Sequence, residues 1–446
     1  MNSAQISQPT VIRSRWGLER YLPLVLFLGF FFPNTRIVPL NSLMLSLRWP
    51  VLLLVCGASV LLLSRKGWGI PRPHGAGLAF LFCFSIFAVL TLFSANVVLA
   101  MAKLAVIVAF VVFCLLFFGN VRSREEALAI VWPLIVAIAV HSWASLTLGR
   151  FYPQFGFGFR GYMTNPNGLG LFLAVFGLPA TVFAVQSVRR QQEQIFYGLT
   201  LLVQVYLVVA SGSRTASAIM VLVLGLSFWR WRRFQGKHVI ALKLLVIFLG
   251  LLLLPLQTQR IRAFAYKYPT ASNILASRTE FWEDTREAIR ENPWMGAGFG
   301  IQEKEAGAEL GITTNYRLRR GEQGSTYLGM VEEVGILGAT PFFFMLFVLG
   351  TRAGFVLMLS RDPLRLFLAR VVVAGMIWGA SENYLLFLGN GASILVLYGI
   401  FLGERLEQLH RAYRKNLRKA RERQRVWHQT QVESLPSTPG TPVLGT

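Results

Sequence analysis

Long apolar runs separated by short polar segments dominate the chain. A bilayer core needs roughly 20 apolar residues per helix. Runs of that order occur at 22–40, 45–64, 77–96, 98–118, 127–148, 168–187, 194–211, 215–230, 239–256, 325–350, 365–384 and 386–403. The pattern predicts an all-α polytopic membrane protein with about 12 transmembrane helices and one long, partly helical extracytoplasmic loop. The first run follows a polar arm and lacks a small-residue cleavage site, so it reads as a retained span.

Composition supports the same class. Of 446 residues, 54% are hydrophobic and 15% charged, against about 25% charged in soluble chains. These values exclude a disordered chain, a coiled coil and a disulfide scaffold. Cys56, Cys83 and Cys114 each lie inside an apolar run, where a thiol serves as a small buried apolar group. His74, His141, His238, His410 and His428 are scattered, with no two at metal-ligand spacing. No metal and no cofactor are therefore expected.

The net charge of +23 gains its meaning from where it sits. With the N-terminus in the cytoplasm, inner segments and the tail after residue 403 hold 27 Lys and Arg. The short outer loops hold five: Arg36, Arg48, Arg150, Arg160 and Arg214. That asymmetry fits the positive-inside rule. It predicts both termini in the cytoplasm, and a membrane rather than nucleic acid as the reason for the charge. The expected division is an N-terminal arm (1–21), helices one to nine (22–256), an extracytoplasmic or periplasmic loop (257–323), helices ten to twelve (324–403), a basic amphipathic cytoplasmic helix (404–433) and a disordered tail (434–446). Leu406, Leu409, Tyr413, Leu417 and Ala420 line one side of the basic helix, which is expected to meet anionic lipids.

Within the long loop, Ser277–Arg278–Thr279–Glu280 has capping-box spacing. It predicts a helix through Arg290, stopped at Asn292–Pro293, with Phe281, Trp282, Thr285, Ala288 and Ile289 on its packing face. Glycines 296, 298 and 300 then predict a tight turn.

Three polar motifs interrupt the apolar pattern: TNPNGLG (164–170), SGSRTAS (211–217) and GEQGSTYL (321–328). Each precedes a helix that starts at the outer face, where free N–H groups and the positive dipole end suit anions. Asn165, Asn167, Ser211, Ser213, Ser325 and Thr326 are the capping candidates, and Tyr327 follows them in the third motif. Arg214 stands out, because an arginine near the membrane core costs about 2.5–3.5 kcal/mol on insertion scales. Its guanidinium grips phosphate oxygens in a bidentate fork, so Arg214 and Arg278 together point to an anionic headgroup such as a lipid diphosphate. Glu322, Glu332, Glu333 and Glu382 are the carboxylates near the same face, and Lys103 is a possible partner for the membrane-embedded pair. His141 reads as a satisfied core histidine.

The segments NPNGLG (165–170), SGSRTA (211–216), SRTEFWEDTREAIRENPWMGAGFG (277–300) and STYLGMVEEVGILG (325–338), in this order, resemble the O-antigen ligase/polymerase superfamily of bacterial membrane glycosyltransferases. The resemblance implies metal-independent, inverting transfer of a glycan from a polyprenyl-diphosphate carrier to a glycan or lipid acceptor, outside the cytoplasmic membrane. By resemblance, Arg214 and Arg278 hold the diphosphate and stabilise its charge as it leaves. Asn165, Asn167, Ser213, Ser325, Tyr327 and Glu382 would line the substrate site. Family members commonly carry a His–Asn pair ahead of the E-x-G helix. Aligned on Glu333–Val334–Gly335, those places hold Gly324 and Ser325 here. Either Glu322, Glu333 or another carboxylate would then take the proton, or the chain would do different chemistry. The competing readings are a membrane transporter of the inorganic-carbon (bicarbonate) type and a lipid-linked glycan flippase. Against both stand the clustering of polar motifs at one face and the lack of an inverted repeat.

Overall fold

The computed structural model describes residues 17–35, 40–65, 71, 75–94, 96–149, 158–231, 276–299, 325–382 and 391–434. Among these the chain is nearly all helical, and its one β-bridge joins Thr35 to Met163. The helices are α1 (Leu22–Phe31), α2 (Leu40–Arg65), α3 (Ala76–Thr91), α4 (Val97–Gly119), α5 (Arg124–Leu148), α6 (Pro166–Phe172), α7 (Leu178–Ser187), α8 (Gln191–Ala210), α9 (Arg214–Trp231), α10 (Ala276–Glu291), α11 (Thr326–Leu359), α12 (Pro363–Ser381) and α13 (Gly391–Ser434). A π-helical turn, Leu173–Gly177, joins α6 to α7.

Among the described residues, six helical stretches are long and apolar enough to cross a bilayer: Val97–Gly119, Arg124–Leu148, Pro166–Ser187, Gln191–Ala210, Thr326–Leu359 and Pro363–Ala380. Shorter apolar stretches are Ser46–Leu62, Ala76–Thr91 and Arg214–Ser227. Large apolar side chains such as Leu53, Phe82, Val98, Phe344 and Phe347 are exposed. That pattern belongs in lipid, where closed helical hydrogen bonding satisfies the backbone and apolar surface need not be hidden. This is an integral membrane protein of the all-α class. The expected twelve spans are matched less closely. Helix α1 has ten residues and rises only about 15 Å, and the run at 239–256 lies outside the described residues.

Two ends of the bundle can be told apart. At one, Arg124 pairs with Asp362 at 3.2 Å and Arg365 pairs with Glu407. Arg405 Nε donates to the Val121 carbonyl at 2.7 Å. Here the Glu404 carboxylate accepts from Ala76 N–H at 2.9 Å, capping α3 with an anion where its dipole favours one. Asp362 caps α12 by accepting from Leu364 N–H at 3.1 Å, and Pro363 fits the first helical position. Burial pushes the Arg405 guanidinium below its ordinary value, with nearby Arg122 adding to the effect. At the opposite end, Thr164 N–H donates to the Asn34 carbonyl at 3.0 Å and Phe159 N–H to the Ala210 carbonyl at 2.7 Å.

The basic tail is helical, but it does not begin a new helix at residue 404. It continues the last span without interruption through Ser434, 44 residues in all or about 66 Å. Leu406 is buried, but Tyr413 and Leu417 are exposed.

Candidate functional site

The first two motifs fold into one polar seam. Asn165 caps α6, its side chain accepting from Asn167 N–H at 2.9 Å, and Pro166 follows at the first helical position. One turn on, Gly170 lies against the second motif. A Cβ there would collide with Ser211 Oγ and stand 3.1 Å from the Ser213 Cβ. Ser211 Oγ donates to the Val208 carbonyl at 2.7 Å and accepts from Ser213 N–H at 3.2 Å. Gly212, at φ 70°, turns the chain. Ser213 Oγ accepts from Ala216 N–H at 3.4 Å, and Arg214 is the first residue of α9. The half-buried Arg214 therefore opens a helix at the seam.

The third motif is anchored differently. Ser325 precedes α11 but makes no side-chain capping bond. Thr326 instead donates twice to the Glu382 carbonyl at the end of α12, from N–H at 3.1 Å and Oγ1 at 2.7 Å. Tyr327 donates its hydroxyl to the Met376 carbonyl at 2.5 Å. Helix α12 packs against both α11 and α9, so it separates the third motif from the Arg214 seam and links the two. The described residues of all three motifs lie at the end away from Arg124–Asp362. Of the capping candidates, Asn165 and Ser213 cap through their side chains, whereas Asn167 contributes its backbone N–H.

Helix α10 spans Ala276–Glu291, close to the expected bounds, with Thr285 buried and Trp282, Ala288 and Ile289 half-buried. Arg278 lies in its first turn, and that side chain is outside the described residues. Glu322 is outside them as well.

The apolar run 325–350 predicted an unbroken span, but α11 breaks at Gly335, at φ 63° and ψ −174°. A regular helix would bond Ile336 N–H to Glu332 O and Leu337 N–H to Glu333 O. Here the turn after α10 takes both places. Ala297 and Gly298 N–H groups donate to the Glu332 and Glu333 carbonyls at 2.9 and 2.8 Å. The Pro293 and Trp294 carbonyls accept from Ile336 and Leu337 at 2.9 and 3.2 Å. The turn is spliced into the membrane helix, and no backbone group in the exchange is left over.

An ion pair crosses the same point. Lys103 Nζ, from α4, lies 3.4 Å from Glu333 Oε1, their side chains 10% and 5% exposed. It also stands 4.8 Å from the centroid of the Phe299 ring. Lys103, named from sequence only as a possible partner, proves to be the partner of Glu333. Glu332 beside it is buried too.

Sequence reasoning passed over other polar groups. Arg160, counted only as an outer arginine, is 8% exposed and follows Phe159, which is tied to the seam. Gln204 Nε2 donates to Ser142 Oγ at 3.0 Å and packs on Gly177 of the π turn. Such turns often mark functional positions in helices. His141, by contrast, is the core histidine that the sequence predicts: it is buried, bonded through Nδ1 to the Tyr162 hydroxyl and edged by Phe31 and Phe172. Burial raises the Tyr162 hydroxyl well above its ordinary value, so it stays protonated. A cleft lined by Trp132, Gln192, Glu193 and Tyr197 opens where α7 gives way to α8, away from the motifs.

The geometry defines an α-helical membrane protein with a polar seam at one end and the α10 segment locked into its helices. Residues 199–343 match the family model described as O-Antigen ligase, so over that segment, about a third of the chain, it is similar to the O-antigen ligase/polymerase superfamily. The match includes Arg214, Arg278, the spliced turn and Glu333, and leaves NPNGLG outside. No curated protein matches the chain.

Proposed function

We propose that this protein is a membrane glycosyltransferase of a bacterial inner membrane. It transfers or polymerises saccharide from a polyprenyl-diphosphate carrier in surface polysaccharide synthesis, at the outer face, with both termini in the cytoplasm. The observation that carries this reading is Arg214, which opens α9 beside the Asn165–Gly170 segment and lies inside the O-antigen ligase match. A guanidinium at a helix N-terminus combines a fixed cation with free N–H groups, a fitting cradle for a diphosphate. Arg278 completes the cradle in this proposal, and together they stabilise negative charge as the carrier leaves. The chemistry is proposed to be inverting and metal-independent.

Asn165, Asn167, Ser213, Ser325, Tyr327 and Glu382 are proposed to line the substrate path. The acceptor proton goes to a carboxylate, Glu322 or Glu333. Glu333 already holds Lys103. The first basic turns of the tail, around Arg411, Arg414 and Lys415, meet anionic lipid in this reading.

One feature speaks against transport. Broken helices in transporters free their carbonyls for ions or substrate, whereas the Glu332 and Glu333 carbonyls at the Gly335 break accept from Ala297 and Gly298. The decisive experiment supplies purified protein with a lipid-diphosphate glycan and scores saccharide transfer together with release of polyprenyl diphosphate. Release that depends on Arg214 supports the proposal; no transfer by folded wild-type protein with a range of acceptors overturns it.

A further inference from the structure

We propose that Lys103 is a positioning residue that latches the external helix α10 onto the membrane core. Four backbone bonds join the Pro293–Gly298 turn to the Gly335 break, but such bonds do not by themselves select one placement of the helix before the turn. Lys103 touches both partners of the splice: its ammonium pairs with Glu333 on α11 and lies over Phe299, the residue after the turn. Phe299 is buried and in turn packs its ring 5.3 Å from Phe87 of α3. A single cation thus gathers α4, α11 and the external segment, with α3 behind them.

The side chain is suited to that task. A buried ammonium cannot give up its carboxylate cheaply in lipid, and a cation over an aromatic face gains more where water is scarce. Turn and helix run continuously from Ala276 through Phe299, so the latch sets the position of Arg278 without touching substrate. The consequence for catalysis rests on the function proposed above; the mechanical role does not.

The test uses full-length protein in lipid nanodiscs, with Cys56, Cys83 and Cys114 replaced. Spin labels are placed at two exposed positions, Arg286 on α10 and Phe93 after α3. Wild type and Lys103→Arg should give one narrow distance distribution, and Lys103→Met a broad one. If Lys103→Met fails to insert, Lys103→Met/Glu333→Gln removes both charges without stranding either, and should give the same broad distribution. An unchanged distribution in whichever neutral variant inserts overturns the latch. In the transfer assay, Lys103→Met should lower kcat roughly 10- to 100-fold with KM nearly constant, as misplacement of a catalytic group does, and Lys103→Arg should restore it. Wild-type protein that transfers nothing would remove the enzyme reading, and the distances would still decide the latch.

Discussion

Gly296 and Gly335 meet backbone to backbone. A Cβ on Gly296 would stand 2.5 Å from the Gly335 nitrogen, and one on Gly335 would stand 2.5 Å from the Met295 nitrogen. Both residues have positive φ, 72° and 63°, where an L side chain costs on the order of 1–3 kcal/mol before any collision. Gly335→Ala and Gly296→Ala should therefore each lower the melting temperature of the purified protein. Gly354, within α11 and with nothing within 4 Å of its would-be Cβ, supplies the contrast. Gly354→Ala should be neutral or gain up to about 1 kcal/mol from helix propensity. Equal effects at Gly335 and Gly354 would contradict the splice.

The seam between the first two motifs makes a second demand on a glycine. Gly170→Ala would drive a methyl group into Ser211 Oγ. We expect the variant to reach the membrane but lose transfer, because the displaced turn carries Arg214. Ser211→Gly removes the obstructing hydroxyl, so the double variant Gly170→Ala/Ser211→Gly should recover part of the lost activity. Absence of any recovery would mean that the seam tolerates no change at Ser211 or that the collision is not the cause. Measuring Ser211→Gly alone separates these outcomes.

The all-helical class was legible because twenty-residue apolar runs admit no other folded solution in lipid. Helix α10 was legible too, since Asn292–Pro293 ends it close to Glu291. The Gly335 break was not, because glycine is common in membrane helices and the pattern 325–350 stays apolar on both sides of it. Only the distant turn at Pro293–Gly298 supplies the hydrogen bonds that make the break tolerable, and no local rule joins residues that far apart. Lys103–Glu333 was half legible: two opposite charges inside spans demand partners, though sequence does not say which helices adjoin. The tail misled for a related reason. A change from apolar to basic at residue 404 looks like a boundary, yet nothing in Gly403–Leu406 breaks a helix strongly enough to end α13.

The two bundle ends allow the proposed orientation to be tested. Thr164 is exposed beside the Arg214 seam, and Arg361 is exposed next to the Arg124–Asp362 pair. In intact cells, a membrane-impermeant thiol reagent should label Thr164→Cys and spare Arg361→Cys until the membrane is opened. The converse pattern would put the seam in the cytoplasm and remove the proposed function with it.

The sharpest expectation concerns Arg214, because charge and fork geometry can be separated there. Arg214→Ala removes a cation at the N-terminus of α9; removal of one preorganised donor at a developing anion typically costs about 2.7–4 kcal/mol, or 10²–10³ in kcat. Arg214→Lys keeps the charge but not the bidentate fork, so it should fall between the two. A purely structural arginine would behave differently. Its loss would lower the amount of folded protein in the membrane, and lysine, able to reach the same interface, would restore it. The measurement is therefore a pair of readings on each variant: protein in the membrane and polyprenyl diphosphate released per molecule. Normal protein with release graded as arginine, lysine, alanine supports a diphosphate at α9. Full release from Arg214→Ala would remove Arg214 from the chemistry.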